Sequence, residues 1–220
     1  MIETITLHHL LPRVFRGMEE TEALRASEVW LTPELTLRRG CRLCIQAESG
    51  GGKSSLLSFL YGQRRDYDGE ILFDGTDVRT YSLSRWCELR THSLALLPQE
   101  MRMFPELTVL QNLQLKNELT GHKTREQLIT LLDRLGIAGK ANDRLGILSI
   151  GQQQRVALIR ALCQPFDFIL LDEPVSHLDR ANNLLAAQIV AEEATAQGAG
   201  IISTSVGNPL LLDGAEVVRL

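Results

Sequence analysis

The 220-residue sequence predicts an α/β domain: a mostly parallel core sheet with helices on both faces. Three observations carry that prediction. Apolar runs of strand length alternate with longer stretches whose apolar residues recur at helical spacing. One of the strands runs straight into a glycine loop that opens a helix. Another ends on two consecutive carboxylates, Asp172 and Glu173.

The first 40 residues are poor in helix signals and hold short β-like runs, ITL and ELTL, which predict a small N-terminal β region. RLCIQA at 42–47 is a buried strand, followed by the glycine loop and an apolar helix, SSLLSFLYG. EILFDG is the next strand, then a polar segment holding Trp86, then a short strand LALLP at 94–98. Across 108–135 the apolar residues of TVLQNLQLKNEL and REQLITLLDRLG fall at helical spacing with glycine breaks, so a helical insertion is expected there. The alternation then resumes with a helix at 151–164, the strand FDFILLD, a helix at 180–197, the strand GIIST and a terminal strand EVVRL. Such alternation forces crossover connections and parallel neighbours. The reading is a single domain, with a core from about 1–98 and 156–220 and a helical part from about 99–155.

Composition is ordinary for a globular chain with a real core, at 44% hydrophobic and 23% charged residues. A net charge of -4 argues against a nucleic-acid partner, which calls for a basic stripe. No apolar run approaches the roughly 20 residues that span a bilayer. The start, MIETITLHHLLPRVF, lacks a basic region followed by an unbroken apolar stretch, so a cytoplasmic location is expected. Cys41 and Cys44 form a CxxC, but no second pair supplies the remaining ligands of a zinc site. They read as small buried residues in a reducing compartment.

The chemistry concentrates in two places. In AESGGGKSS at 47–55, Ser49, Gly50, Gly51 and Gly52 let backbone N–H groups curl around phosphate oxygens at a helix N-terminus. Lys53 can reach the β- and γ-phosphates, and the hydroxyl of Ser54, followed by Ser55, can complete a Mg²⁺ shell. The motif asks for glycine at 47. Ala47 fits only if its φ stays negative. In FDFILLDEP, a strand end places Asp172 to hold Mg²⁺ through water and Glu173 to orient or deprotonate an attacking water.

LSIGQQQR at 148–155 resembles the signature motif of the ATP-binding cassette (ABC) transporter nucleotide-binding subunits, with Ile150 in place of a glycine. Other ordered motifs agree. Gln99 in LLPQEMRMFPELTVLQNL resembles the family's glutamine loop, and Ser176 to Asp179 resembles its D-loop. The look is most similar to the cassettes of lipoprotein-release, macrolide-export and cell-division complexes.

The resemblance implies a P-loop NTPase fold and a head-to-tail pair of cassettes, from a second copy or a paralogue, with two ATP molecules sandwiched between them. Ser149, Gly151 and Gln152 would then contact the ATP held by the partner, and Asp179 the opposite phosphate loop. Gln99 would join the Mg²⁺ and the attacking water to the helical part. That part would meet a separate membrane permease near Met101, Met103 and Phe104, placing the chain on the cytoplasmic face of the membrane. An aromatic from the N-terminal β region would stack on adenine, with Phe15 the first choice and Trp30 the second. Where the family carries a histidine after the strand at 200–204, this chain has Ser205, which puts turnover in doubt more than binding. The alternative is a regulatory module that dimerises on ATP and hydrolyses it slowly or not at all.

Overall fold

In the computed structural model, which describes residues 1–220, the elements run β1 (Thr4–Pro12), α1 (Glu22–Arg25), β2 (Leu35–Arg38), β3 (Arg42–Gln46), α2 (Lys53–Leu60), β4 (Tyr67–Phe73), β5 (Thr76–Asp77), α3 (Leu83–His92) and β6 (Leu94–Leu97). They continue with α4 (Val109–Asn117), α5 (Arg125–Arg134), α6 (Ile150–Ala161), β7 (Phe168–Leu171), α7 (Arg180–Gln197), β8 (Gly200–Ser205) and β9 (Glu216–Arg219). Two sheets result. One is antiparallel, in the order β2-β1-β4-β5, and the other is parallel, in the order β6-β7-β8-β3-β9.

Placing β8 between β7 and β3 decides where chemistry can occur. Leu171 pairs with Ser203 and Gln46 pairs with Ser205, so the loops leaving β3, β7 and β8 all emerge at one carboxyl edge. Open α/β sheets bind ligands at that edge. Side chains on the two faces of the parallel sheet enter different apolar bodies. Ile45, Leu170 and Ile202 join α2 and the antiparallel sheet, where Phe59, Tyr67 and Trp30 are buried. Ile169, Leu171 and Ile201 face α6 and α7. The helices of the insertion have no core of their own. Leu113 of α4 and Leu128 and Leu132 of α5 share one continuous core with Val156, Ile159 and Ala186.

Three helices start on the same chemistry. Thr108, Thr124 and Ser149 each accept a bond from the N–H three residues on, and the glutamine there (Gln111, Gln127, Gln152) returns the bond. These are reciprocal capping boxes, and they fix three starts in a region of modest apolar content. Asn112, fully buried, does the same for the loop before α4. Its amide oxygen accepts from the Phe104 N–H at 2.9 Å, and its amide nitrogen donates to the Phe104 carbonyl at 2.9 Å.

The polar segment around Trp86, to which the sequence reading assigned no element, is a helix, α3, capped by Ser82, whose hydroxyl accepts from the Arg85 N–H at 3.2 Å. It reads as polar because it buries only Trp86 and Leu89. The helix at 151–164 ends earlier, at Ala161. No helix is long and apolar enough to cross a membrane.

Candidate functional site

Between β3 and α2 the chain turns through two left-handed glycines, Gly50 at φ 85° and Gly52 at φ 94°. Such values are open to glycine and costly for other residues. Gly51 is needed for a different reason: a Cβ there would stand 2.9 Å from the Ala47 methyl. Ala47 itself is absent from the positive-φ residues, which meets the condition its methyl imposes. Lys53, the first residue of α2, is buried at 5% exposure, and its ammonium donates to the Ala47 carbonyl at 3.1 Å and the Glu48 carbonyl at 2.9 Å.

At the end of β7, Asp172 is buried and its Oδ1 accepts from the Thr204 hydroxyl at 2.7 Å. The same hydroxyl oxygen accepts from the Glu173 N–H at 3.1 Å. One threonine on β8 therefore holds both acidic positions. Glu173 has φ 49°, a left-handed value rarely taken by a non-glycine residue and sustained here by bonds at both its backbone groups. Its Oε1 lies 3.8 Å from the Lys53 nitrogen. Gln99 follows β6 and is exposed, and the two residues after Glu100, Met101 and Arg102, also have positive φ, at 58° and 49°.

Ser49, Gly50, Gly52, Lys53, Ser54, Ser55, Gln99 and Glu173 line one cleft of about 220 Å³. A neighbouring cleft of about 160 Å³ is lined in part by Ser54, Gln99 and Asp172. This donor set suits a triphosphate with a hard divalent ion: backbone N–H groups and an ammonium on one side, and a hydroxyl, an amide and a carboxylate on the other. The Ser55 hydroxyl already accepts from Arg64 at 2.9 Å.

Beside the loop, Phe15, Met18, Leu24 and Trp30 line an apolar pocket of about 280 Å³ that also touches Ser49, Gly50 and Gly51. Of the two aromatics, Phe15 is half-buried, whereas Trp30 is buried at 2% exposure. Trp30 is part of the core, and its indole N–H donates to the Gly51 carbonyl at 3.1 Å.

Ser149, Gly151, Gln152 and Asp179 line neither cleft. Ser149 caps α6, accepting from the Gln152 N–H at 3.3 Å, which leaves its own O–H proton free to donate. Gly151 is fixed from within the chain, since a Cβ there would meet the His177 carbonyl at 2.9 Å. Asp179 caps α7 through the Asn182 N–H at 2.8 Å, and the backbone and side-chain bonds of Asn182 lower its carboxyl pKa. Gln154 is buried and joins the two acidic and signature segments. Its amide donates to the Glu173 carbonyl at 3.1 Å and to the Ser176 hydroxyl at 3.0 Å, and its amide oxygen accepts from the His177 N–H at 2.9 Å.

Ser205 departs from expectation. It is buried at 1% exposure, its hydroxyl accepts from the Gly207 N–H at 3.0 Å, and it lines a third cavity with Gln46, Ala47, Glu48, Val206 and Arg219, on the side of the loop entry. It is absent from both clefts around Lys53. The polar residue of β8 that reaches the acidic pair is Thr204, one position earlier. Thr204, Gln154 and the Trp30 bond are the site features that sequence reading missed. Strand alternation could have flagged Thr204, because neighbours in a strand face opposite sides. The thiols give no second site: all four are free, and burial pushes Cys41 up to about 11 and Cys163 to about 12. Near Gln99, Met101 and Met103 pack on the core, while Phe104 is 43% exposed under the Arg160 guanidinium.

Comparison with known proteins places this geometry. The ABC transporter pattern matches residues 32–176. Over 148 residues the chain is 34% identical to the ABC transporter ATP-binding protein YtrE of Bacillus subtilis, covering 66% of this chain and 64% of that one. Over 161 residues it is 31% identical to the lipoprotein-releasing system ATP-binding protein LolD of Buchnera aphidicola, covering 72% and 70%. A 32% identical ABC transporter ATP-binding protein of Mycobacterium tuberculosis is matched over 52% of its length, so the chain spans about half to two thirds of several of these relatives. The dimeric structure of the bacterial ABC transporter cassette MJ0796 superposes with a TM-score of 0.74 at 24% identity, over 91% of this chain and 87% of that one. At that identity the likeness shows the fold.

Proposed function

The chain belongs to the ABC transporter family as an ATP-binding cassette, and from that premise we propose that it binds MgATP, pairs head to tail with a second cassette and hydrolyses the nucleotide to drive a separate membrane subunit. The observation that carries this reading is the convergence of Lys53, Ser54, Gln99 and Glu173 on one cleft at the carboxyl edge of the sheet. Lys53 and the loop N–H groups bind the phosphates, and Phe15 stacks on the base. Ser54, Gln99 and Asp172 would hold Mg²⁺, which when bound would neutralise phosphate charge. Glu173 orients the attacking water and takes its proton.

The second half of each site comes from the facing cassette, through the outward O–H of Ser149, the N-terminus of α6 with Gly151 and Gln152, and Asp179. ATP is then an interfacial ligand that favours the paired state, and hydrolysis withdraws that bias. The membrane subunit docks on the helical part, where Phe104, Leu115 and Leu119 leave large apolar side chains exposed at 43%, 43% and 63%. On this reading the cassette sits on the cytoplasmic face of the membrane. A slow, regulatory cassette is the second reading. It is favoured by Ser205, a shorter donor than the family's histidine whose hydroxyl already accepts from the Gly207 N–H.

Lys53→Ala tests the first step. Removing a charge-assisted donor worth about 2 kcal/mol lowers MgATP affinity by about 10- to 100-fold in an equilibrium titration. Unchanged affinity would overturn the phosphate-loop assignment.

A further inference from the structure

The peptide joining Gly51 to Gly52 is flanked by two residues without side chains. A unit of this kind can rotate, exchanging the directions of its C=O and N–H at low cost. Because the unit is planar and trans, the two groups point to opposite sides. One orientation presents the N–H of Gly52 to a bound anion, whereas the other presents a repulsive carbonyl oxygen. Nothing within the glycine run itself selects between them.

The selection comes from outside the loop. The Trp30 indole N–H donates to the Gly51 carbonyl at 3.1 Å, so the Gly52 N–H is directed away from Trp30. The Trp30 ring also closes one side of Gly52, where an added Cβ would stand 3.0 Å from the indole and 3.3 Å from Phe15. Trp30 in turn is built into a fixed turn. Its own N–H donates to the Ser27 hydroxyl at 2.8 Å, and the next residue, Leu31, holds φ 60° while its N–H donates to the Leu10 carbonyl of β1 at 3.0 Å. Glu28 ties the same turn to β9, its N–H donating to the Arg219 carbonyl at 2.8 Å and its carboxylate accepting from the Arg219 N–H at 2.8 Å. A non-glycine residue held at positive φ beside a buried tryptophan is a costly arrangement. Its product is a fixed indole N–H aimed at one carbonyl.

We propose that Trp30 is a positioning residue for nucleotide binding, which holds the Gly51–Gly52 peptide with its N–H turned to the phosphates. The proposal rests on the MgATP reading above and deepens it: part of the affinity is set by a residue 21 positions before Gly51. A rotated peptide would leave a buried indole N–H without a partner, and this coupling keeps the loop in its anion-receiving form before nucleotide arrives.

The chain has two tryptophans, and the second provides an internal control, because the buried Trp86 nitrogen has no hydrogen-bond partner. Replacing both with benzothienylalanine, which has sulfur in place of the N–H, removes one hydrogen bond and keeps both ring shapes. MgATP affinity is expected to fall about 3- to 10-fold, with KM rising by the same factor and kcat at saturation unchanged. Thermal unfolding without nucleotide should shift by no more than about 4 °C. Trp30→Phe should show the same loss of affinity, whereas Trp86→Phe should not. Equal affinity in the substituted and natural proteins overturns the proposal. So does a loss of affinity that appears only with a larger loss of thermal stability, which would mark Trp30 as core alone. If the natural protein fails to bind MgATP, the nucleotide reading itself falls, and the proposal with it.

Discussion

Around Lys53 the polar groups are bonded to one another across elements and largely buried, whereas around Ser149 they are bonded only to near neighbours and lie exposed. The first region is closed by its own bonds: ammonium to loop carbonyls, Thr204 to Asp172 and to the Glu173 N–H, Trp30 to the Gly51 carbonyl. In the second, Ser149 accepts a cap bond and keeps a free proton, Ile150 is 49% exposed, and Asp179 and His177 are open to solvent. Buried polar groups must be satisfied within the fold, while a surface that meets another molecule can leave donors uncommitted. Under the proposed pairing, the first is a half-site assembled by folding and the second is one that association would finish. Gln154 is the bridge between them, because a single buried amide holds the carbonyl of Glu173 and the backbone of His177.

The largest expected effect tests whether the first region works without the second. Glu173→Gln should keep MgATP binding and lower phosphate release by about 100- to 1,000-fold, since a positioned proton acceptor is lost. Light scattering with MgATP should then show a dimer that ADP does not support. A variant that binds MgATP and stays monomeric at high protein concentration would break the comparison.

A smaller effect probes how the first region is held. Thr204→Val leaves the Asp172 carboxylate and the Glu173 N–H each short of a partner. It should cost about 1–3 kcal/mol of stability in a denaturant titration and lower phosphate release about 10-fold. Thr204→Ser should restore both. If Val and Ser behave alike, the hydroxyl does not position the acidic pair.

The smallest effect concerns Ser205. From sequence alone, Ser205→His would be expected to raise turnover by restoring a donor. In the structure residue 205 lines a cavity with Ala47 and Glu48, the loop residues whose carbonyls hold Lys53, so an imidazole there has room beside the phosphate loop. A small rise in steady-state phosphate release is expected. Unchanged turnover would show that residue 205 does not reach the site.

The parts that were legible in the sequence are those whose chemistry is local. A glycine run before Lys53, two carboxylates after an apolar strand and the LSIGQQQR run at 148–155 each declare themselves within a few residues. The site's supports were not legible, because they act across the sheet or across the chain. Thr204 meets Asp172 only because β8 lies beside β7. Trp30 carried a role as a possible stacking aromatic, yet the fold spends its ring on the core and its N–H on the loop. Around Trp86, a helix that buries one narrow stripe looks like loop composition until its partner surface is known.

The bonds from Lys53 to the Ala47 and Glu48 carbonyls have a kinetic meaning. Two of the three ammonium protons are committed to the loop, so the cation is held in place with one donor left for a phosphate oxygen. Nucleotide therefore adds to a preset cation and need not evict an internal ligand. The observed association rate should climb linearly with concentration, with no plateau set by release of the ammonium from its own loop.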